Sequence, residues 1–353
     1  MKITRITAFV ALAGGITFFA LLSLTIGPMD MPFVKVCNIL LERLLPAGVV
    51  TNGAVGSEGV VIWDIRLART TLALLAGGGL AMAGAAMQGV FRNPLADPGI
   101  IGVSGGGAIG AVTAIVLGSR ILPGDFTARY AAWITPVAAM AGAISMTVLI
   151  YHLSLRRRHV DLVSMLLVGI AINALGGAFI GLVSAFVATA EELQTVTFWT
   201  LGSLGRATWD LILPAALFLA PPLLLLPRYA RPLNALALGE EDAALLGVDV
   251  PRVKRALIAL AAALVGTTVA LCGMIGFIPL VAPHIVRAAA GGDHRFLLPA
   301  SALVGAALLL AADMAARTVV APAELPLGIV TSLFGAPVFL SLIWKRNRAL
   351  ERA

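Results

Sequence analysis

An all-α polytopic membrane protein with about ten transmembrane helices is the fold class this sequence predicts. Three observations carry that prediction. The 353 residues are 59% hydrophobic and 12% charged, whereas soluble domains hold about 25% charged residues. Apolar windows of about 20 residues, the length that crosses a bilayer as a helix, recur along the whole chain. The basic residues fall in the breaks between those windows and alternate in density, as loops on the two sides of a membrane do. The net charge of +7 is thus spread over loops and forms no patch for nucleic acid.

Taken in order, Lys2 and Arg5 precede an apolar stretch at 6–27. It exceeds the roughly 7–15-residue core of a signal peptide and lacks a small-residue cleavage site, so it reads as a retained first span. Residues 28–65 form the longest outer loop. Further windows lie at 67–91, 101–119, 131–153, 160–187, 211–227, 254–273, 297–320 and 326–344. The piece 275–290 is shorter and carries Pro279, Pro283 and His284; it counts as a short or broken span and brings the total to ten. The less apolar region 188–209, with Glu191, Glu192, Gln194 and Trp199, reads as a short helix at the outer surface. Small residues are dense in the second span (Gly77, Gly78, Gly79, Ala81, Gly84, Ala85) and in the fifth (Gly169, Gly176, Gly177). In lipid they let helix backbones approach closely. No shift in composition marks a second domain, so 1–353 reads as one membrane domain.

Orientation follows from the basic residues. With the N-terminus inside, the inner segments hold Lys2, Arg5, Arg92, Arg156, Arg157, Arg158, Arg228, Arg231, Arg252, Lys254, Arg255, Arg287, Arg295, Lys345, Arg346, Arg348 and Arg352, seventeen of the 25. The outer side keeps Lys35, Arg43, Arg66, Arg69, Arg120, Arg129, Arg206 and Arg317. An even span count with both termini in the cytoplasm is expected.

One inner stretch is short and polar: Leu238-Gly239-Glu240-Glu241-Asp242-Ala243-Ala244-Leu245-Leu246-Gly247-Val248. Gly239 suits an N-cap, and the three acids then fall in the first turn, where they complement the positive end of the helix dipole. Gly247 is placed to end the helix as a left-handed residue. Ala243, Leu246 and Val250 form an apolar flank at helical spacing. Arg228 and Arg231 precede the stretch, and Arg252, Lys254 and Arg255 follow it. The residues alone fit either a docking element or a surface helix that closes a loop.

Absent motifs exclude whole classes. None of Lys2, Lys35, Lys254 and Lys345 stands in a Gly-Lys-Ser/Thr context, so the chain has no P-loop to cradle a nucleotide. It has no His-Glu-x-x-His pair, nucleophile elbow or in-membrane carboxylate cluster, and is not expected to be an enzyme. Cys37 and Cys272 lie far apart and make no ligand spacing. His152, His159, His284 and His294 all fall on or near the inner side, and no metal site is expected. In Arg92-Asn93-Pro94-Leu95-Ala96-Asp97-Pro98-Gly99 the two prolines fix a non-helical turn, with Asn93 and Asp97 suited to its side-chain hydrogen bonds. The glycines of Gly102-Val103-Ser104-Gly105-Gly106-Gly107 open a membrane helix.

Five stretches in this order carry a resemblance: Arg66-Leu67-Ala68-Arg69; the Asn-Pro-Leu-Ala-Asp-Pro-Gly turn at 93–99; the Ala-Leu-Gly-Glu-Glu helix; Gly276-Phe277-Ile278 with Pro283-His284; and Glu324-Leu325-Pro326-Leu327-Gly328 with Gly335-Ala336-Pro337-Val338-Phe339. The chain is similar to the permease subunits of the FecCD type, the ABC importers of iron chelates, haem and vitamin B12. The resemblance covers nearly everything after residue 60. One departure is Ala68, where the family usually has proline; it is expected to loosen the start of the second span.

The resemblance implies the type II importer architecture in a bacterial inner membrane, with ten spans per subunit. It implies a homodimer around one translocation path, two ATP-binding cassette ATPase subunits below and a periplasmic substrate-binding protein above. ATP and Mg would be used by the separate ATPase, and this chain would bind no cofactor. Gly239, Glu240, Glu241, Asp242, Ala243, Leu246 and Gly247 then match the helix that couples to the ATPase, although the acids could simply cap it. Arg66, Arg69 and Arg317 match positions that meet carboxylates of the binding protein. Such arginines also snorkel to the interface, and Asp313 and Arg317, four apart, suit a pair on one helix face. Asn93, with Pro94 and Leu95, matches the cytoplasmic gate, where a turn-stabilising role is the alternative. Asn173, Gly176, Gly177 and Ser184 of the fifth span, with Thr331 and Ser332 of the tenth, suit the translocation path.

The expected cargo is a large iron chelate, haem or a ferric siderophore, moved by alternating access; cobalamin is the alternative. A stand-alone secondary transporter or channel is the different-class reading. It would want ionisable residues at mid-membrane, and the middles of these spans are nearly charge-free.

Overall fold

Apolar windows become helices because lipid offers no partner for backbone N–H and C=O groups, which a helix pairs within itself. A computed structural model of the chain describes residues 5–29, 31–44, 56–156 and 159–350. Lys2, Arg157, Arg158 and Arg352 from the orientation count lie outside the described residues, as does part of the 28–65 loop.

The chain begins with α1 (Arg5–Thr25) and α2 (Phe33–Leu44). Next comes α3 (Ser57–Val60), which continues through a π-helical segment, Val61–Leu67, into α4 (Ala68–Val90). A 3-10 turn at Pro98–Ile101 leads to α5 (Val103–Ile121) and α6 (Gly124–Leu153). A two-residue antiparallel ladder, β1 (Leu155–Arg156) with β2 (His159–Val160), precedes α7 (Leu162–Phe186) and α8 (Ala190–Thr200). Then follow α9 (Trp209–Leu225), α10 (Ala230–Leu236), α11 (Glu240–Leu245), α12 (Val250–Cys272), α13 (Ile278–Ala290), α14 (His294–Thr318) and α15 (Leu327–Leu350). Among the described residues, seven helical stretches are long and apolar enough to cross a membrane, and three shorter apolar helices, Val103–Gly118, Ile278–Ala290 and Leu327–Ser341, bring the membrane set to ten. The expected all-α, ten-helix fold is what forms.

The glycine- and alanine-rich α4 is the axis of the bundle. It is buried along nearly its whole length, against α12, α13 and α14. A methyl group on Gly77 would stand 2.5 Å from the Gly305 carbonyl oxygen, so α4 and α14 touch backbone to backbone. Dispersion at that separation holds helices together where lipid removes any hydrophobic drive.

Two sets of contacts separate the ends of the bundle. At one end the Asn234 side chain meets Asp293 and His294, Arg287 meets Gln88, and Lys254 meets Glu240. At the other, Arg66 reaches the last turn of α1, Trp209 donates to the Trp63 carbonyl, and the Leu327 amide donates to Gly202. Since α1 ends and α15 begins at this second end, the first residue of α1 and the last of α15 point to the side of α11. That agrees with an even number of crossings.

Three local expectations change. The second span starts at Ser57, ten residues before the apolar window, because the π turn carries Trp63, Asp64 and Arg66 into the same helix. Ala68 is helical, with φ −57° and ψ −48°, and fully buried, so no loosening occurs there. The 28–65 loop contains α2, whose Val36 and Ile39 pack against Leu24, Met31 and Ile62. The surface helix expected in 188–209 is α8, closed by a reciprocal capping box between Thr189 and Glu192.

Candidate functional site

The acidic stretch at 239–247 folds as read from its residues, and tertiary contacts make it rigid. Gly239 is the N-cap residue and Glu240, Glu241 and Asp242 fill the first turn of α11. Gly247 ends it at φ +82°. The Val248 amide donates to the Ala243 carbonyl at 3.0 Å and the Gly247 amide to Ala244 at 2.9 Å, the paired bonds of a Schellman motif. Ala243 is fully buried in a small cluster with Leu236 and Val250. Lys254, buried on α12, donates to Glu240 Oε1 at 2.6 Å. One acid therefore clamps the helix, while Glu241 and Asp242 are exposed.

The expected apolar flank is corrected. Ala243 and Val250 face inward, but Leu246 is 65% exposed and Leu245 87%. The tight C-terminal turn swings both leucines outward, where they make an apolar tip beside the two free acids.

The 93–99 turn lies next to this helix. Arg92 ends α4 at φ +51°, and its guanidinium comes to 4.0 Å from where a side chain on Gly239 would begin. Asn93 Oδ1 accepts from the Leu95 amide at 3.0 Å, and the Asn93 amide donates to the Gln88 carbonyl at 3.1 Å. Asn93 thus holds the turn; Leu95 is exposed at its tip and Pro94 is half-buried. Asp97 Oδ1 accepts from the Gly99 amide at 2.6 Å and caps the 3-10 turn.

At the opposite end Arg66, Arg69 and Arg317 are all buried. Arg66 and Arg69, three apart, are expected as neighbours on one helical face, and all three arginines match docking positions. The π segment widens the turn between Arg66 and Arg69, and the two side chains diverge. Arg66 donates to the Leu24, Thr25 and Met29 carbonyls, satisfying the frayed end of α1. Arg69 Nε lies 2.8 Å from Asp313 Oδ1, and Arg69 Nη1 lies 2.9 Å from Glu324 Oε1. Arg317 pairs with Asp313 at 3.4 Å, as the four-residue spacing suggested, and donates to Ser23 Oγ at 2.7 Å. Asp313 is fully buried, whereas the Glu324 side chain is 40% exposed. The three arginines spend donors on holding α1, α4, α14 and the segment before α15 together, and Glu324 is the part of the network that faces out.

The candidate path residues divide. Asn173 Nδ2 reaches the Gly99 carbonyl at 3.5 Å, Gly176 packs on Ile109, and Thr331 is buried, donating to Gly328 at 3.4 Å. These three serve packing within this chain. Gly177 is exposed with nothing near it, Ser184 is half-buried, and Ser332 is exposed in a shallow hollow beside Leu201 and Leu333.

Comparison with known proteins decides what this arrangement belongs to. The FecCD transport family matches residues 9–345. The chain belongs to the FecCD transport family. A hemin transport system permease protein, HmuU of Yersinia pestis, is 46% identical over 287 residues, 81% of this chain and 84% of that one. A vitamin B12 import system permease protein, BtuC of Escherichia coli K12, is 42% identical over the same shares. A solved metal-chelate type ABC transporter in an inward-facing conformation superposes with a TM-score of 0.81 at 31% identity, covering 95% of this chain and 98% of the other.

As a FecCD permease the chain is the membrane-spanning part of an ABC importer, embedded in a bilayer, and ATP hydrolysis falls to a separate ATPase subunit. That division of labour matches the missing P-loop. Among the described residues no cluster of His, Cys, Asp and Glu could hold a metal ion. Sequence reasoning missed two working residues of this FecCD chain, Lys254 as the clamp on Glu240 and Glu324 as the outward end of the arginine network. Lys254 had a usable signal, a lysine 14 residues after an acid at the start of a membrane helix. Glu324 had none, because its partner Arg69 is 255 residues away.

Proposed function

We propose that this FecCD permease works as a homodimer in a bacterial inner membrane, both termini cytoplasmic, importing a large iron chelate from the periplasm by alternating access. Haem or a ferric siderophore is the first cargo; the hemin permease at 46% identity supports it. Cobalamin is the second, supported by the vitamin B12 permease at 42%. The observation that carries the coupling role is α11, a two-turn helix clamped by Lys254 whose exposed end offers Glu241, Asp242, Leu245 and Leu246 together. A groove in an ATPase would bury the leucines and pair the acids. A wide, weakly binding path suits a bulky chelate, since a ligating wall would trap it, and the exposed Gly177 and Ser332 are non-ligating.

The Asn93–Pro94–Leu95 turn, beside α11 through Arg92, is the proposed inner gate. A shift of α11 would reach it directly. A periplasmic binding protein would dock at the outer rim around Glu324, over the surface that Arg66, Arg69 and Arg317 hold in shape. Proteoliposomes containing this chain and its ATPase should take up haem, ferric siderophore or cobalamin only with the binding protein and ATP. Uptake driven by an ion gradient without ATP would defeat the reading.

A further inference from the structure

Between α6, α9 and α12 runs a groove of about 500 Å³ that neither the coupling surface nor the outer rim uses. Its body is apolar, built from Ala143, Ile144, Val148, Ile258 and Ala262, with Phe218 along one edge. Ile144, Val148 and Phe218 are exposed, so the groove opens sideways to the membrane and not into the bundle. Polar character is concentrated at one end, where Tyr151, His152 and Arg255 line it.

The groove has a length and a charge. On α12 it extends from Arg255 to Thr267, twelve residues, or about 18 Å at 1.5 Å per residue. On α6 it runs from Met140 to His152, the same length. The hydrocarbon of one leaflet is about 15 Å deep, half of a 30 Å core. Its polar end lies at the start of α12 and the end of α6, on the side of α11, which the basic-residue count assigns to the cytoplasm. No carboxylate lines it. Arg255 donates only from Nε, to the Pro251 carbonyl at 3.4 Å, which leaves its two terminal amino groups without a partner among the described residues. A positive mouth over an apolar slot one leaflet deep complements an anionic headgroup over an acyl chain.

We propose that this groove binds one acyl chain of an anionic phospholipid of the cytoplasmic leaflet, with the lipid phosphate on Arg255. The orientation rests on the charge count; the groove and its charged mouth do not depend on the cargo. A single cationic contact at a membrane surface is worth about fivefold in binding.

The test uses the full-length chain in mild detergent, offered phosphatidylglycerol and phosphatidylethanolamine in equal amounts, with bound lipid counted by native mass spectrometry. The wild-type chain should retain phosphatidylglycerol in preference. Arg255→Ala should lower phosphatidylglycerol retention about fivefold and phosphatidylethanolamine retention less, because the ammonium of that headgroup offsets its phosphate. Ala259→Trp, at an exposed position in the wall, should remove both. Gel filtration and melting temperature establish that each variant is folded; Arg255 and Ala259 are exposed and carry no packing. Equal phosphatidylglycerol retention by wild type and Arg255→Ala would overturn the proposal. So would a disulfide between two copies of the chain formed through Ile144→Cys, since a second copy would then cover the groove.

Discussion

Lys254 Nζ and Glu240 Oε1 lie 2.6 Å apart, joining the first turn of α11 to the start of the membrane helix α12. Lys254 is buried and Glu240 is not. A displacement of α11 would therefore pull on α12 through this ion pair.

The asymmetry of that pair gives the first prediction. Glu240→Ala strands a buried ammonium, whereas Lys254→Ala leaves a carboxylate that water can reach. Breaking a fully buried pair costs about 3–5 kcal/mol, and the half-exposed acid lowers this to about 2 kcal/mol for Glu240→Ala, with less for Lys254→Ala. Thermal unfolding of the two variants should rank them in that order. Both should transport less per ATP hydrolysed, and equal coupling to wild type would remove the clamp from the mechanism.

Asp313 sits between two guanidinium groups near the C-terminal end of α14. Asp313→Ala should cost about 3–5 kcal/mol, because it leaves Arg69 and Arg317 buried without their shared anion. Arg69→Glu places a third carboxylate beside Asp313 and Glu324 and should cost as much. In both cases melting temperature should fall in detergent with no binding protein present. An Arg69→Glu chain of normal stability that loses only binding-protein affinity would return this arginine to a docking role.

Gly247 holds φ +82°, where a Cβ costs about 1–2 kcal/mol. Gly247→Ala should distort the Schellman turn and move Leu245 and Leu246 while sparing the membrane bundle. Circular dichroism should be unchanged and ATPase binding weakened by about tenfold. Unaltered affinity would show that the tip does not contact the ATPase.

Glu192 in the α8 capping box accepts from the Thr189 amide, and this bond, with Arg120 beside it, holds its carboxyl below the usual glutamate range. A lowered acid contributes stability that is fully present above the unfolded value near pH 4.3 and is lost as pH falls through the folded one. Hydrogen exchange at the start of α8 should therefore accelerate only below about pH 4.3. In Glu192→Gln it should be independent of pH in that range once the intrinsic exchange rate is divided out.

Sequence by itself determined the class, the ten helices, their alternation and the extent of α11. Each depends on local rules: a bilayer-length apolar run, a charge between runs, a glycine that alone tolerates a left-handed turn. Gly239, the three acids and Gly247 state the limits of α11 without help from any other residue. What only the tertiary structure decided is where side chains go when the helix carrying them can turn. Arg66 and Arg69 read as one face at α-helical spacing, but the π segment that ends at Leu67, packed beside α1, sends them to different partners. Leu246 reads as one apolar flank with Ala243 and Val250, but those two face inward and Leu246 stands out at the C-terminal turn. Glu324 meets Arg69 across 255 residues of chain. Periodicity fixes neighbours along a helix, whereas pairing across a bundle depends on how closely Gly77 and Gly305 let two backbones approach.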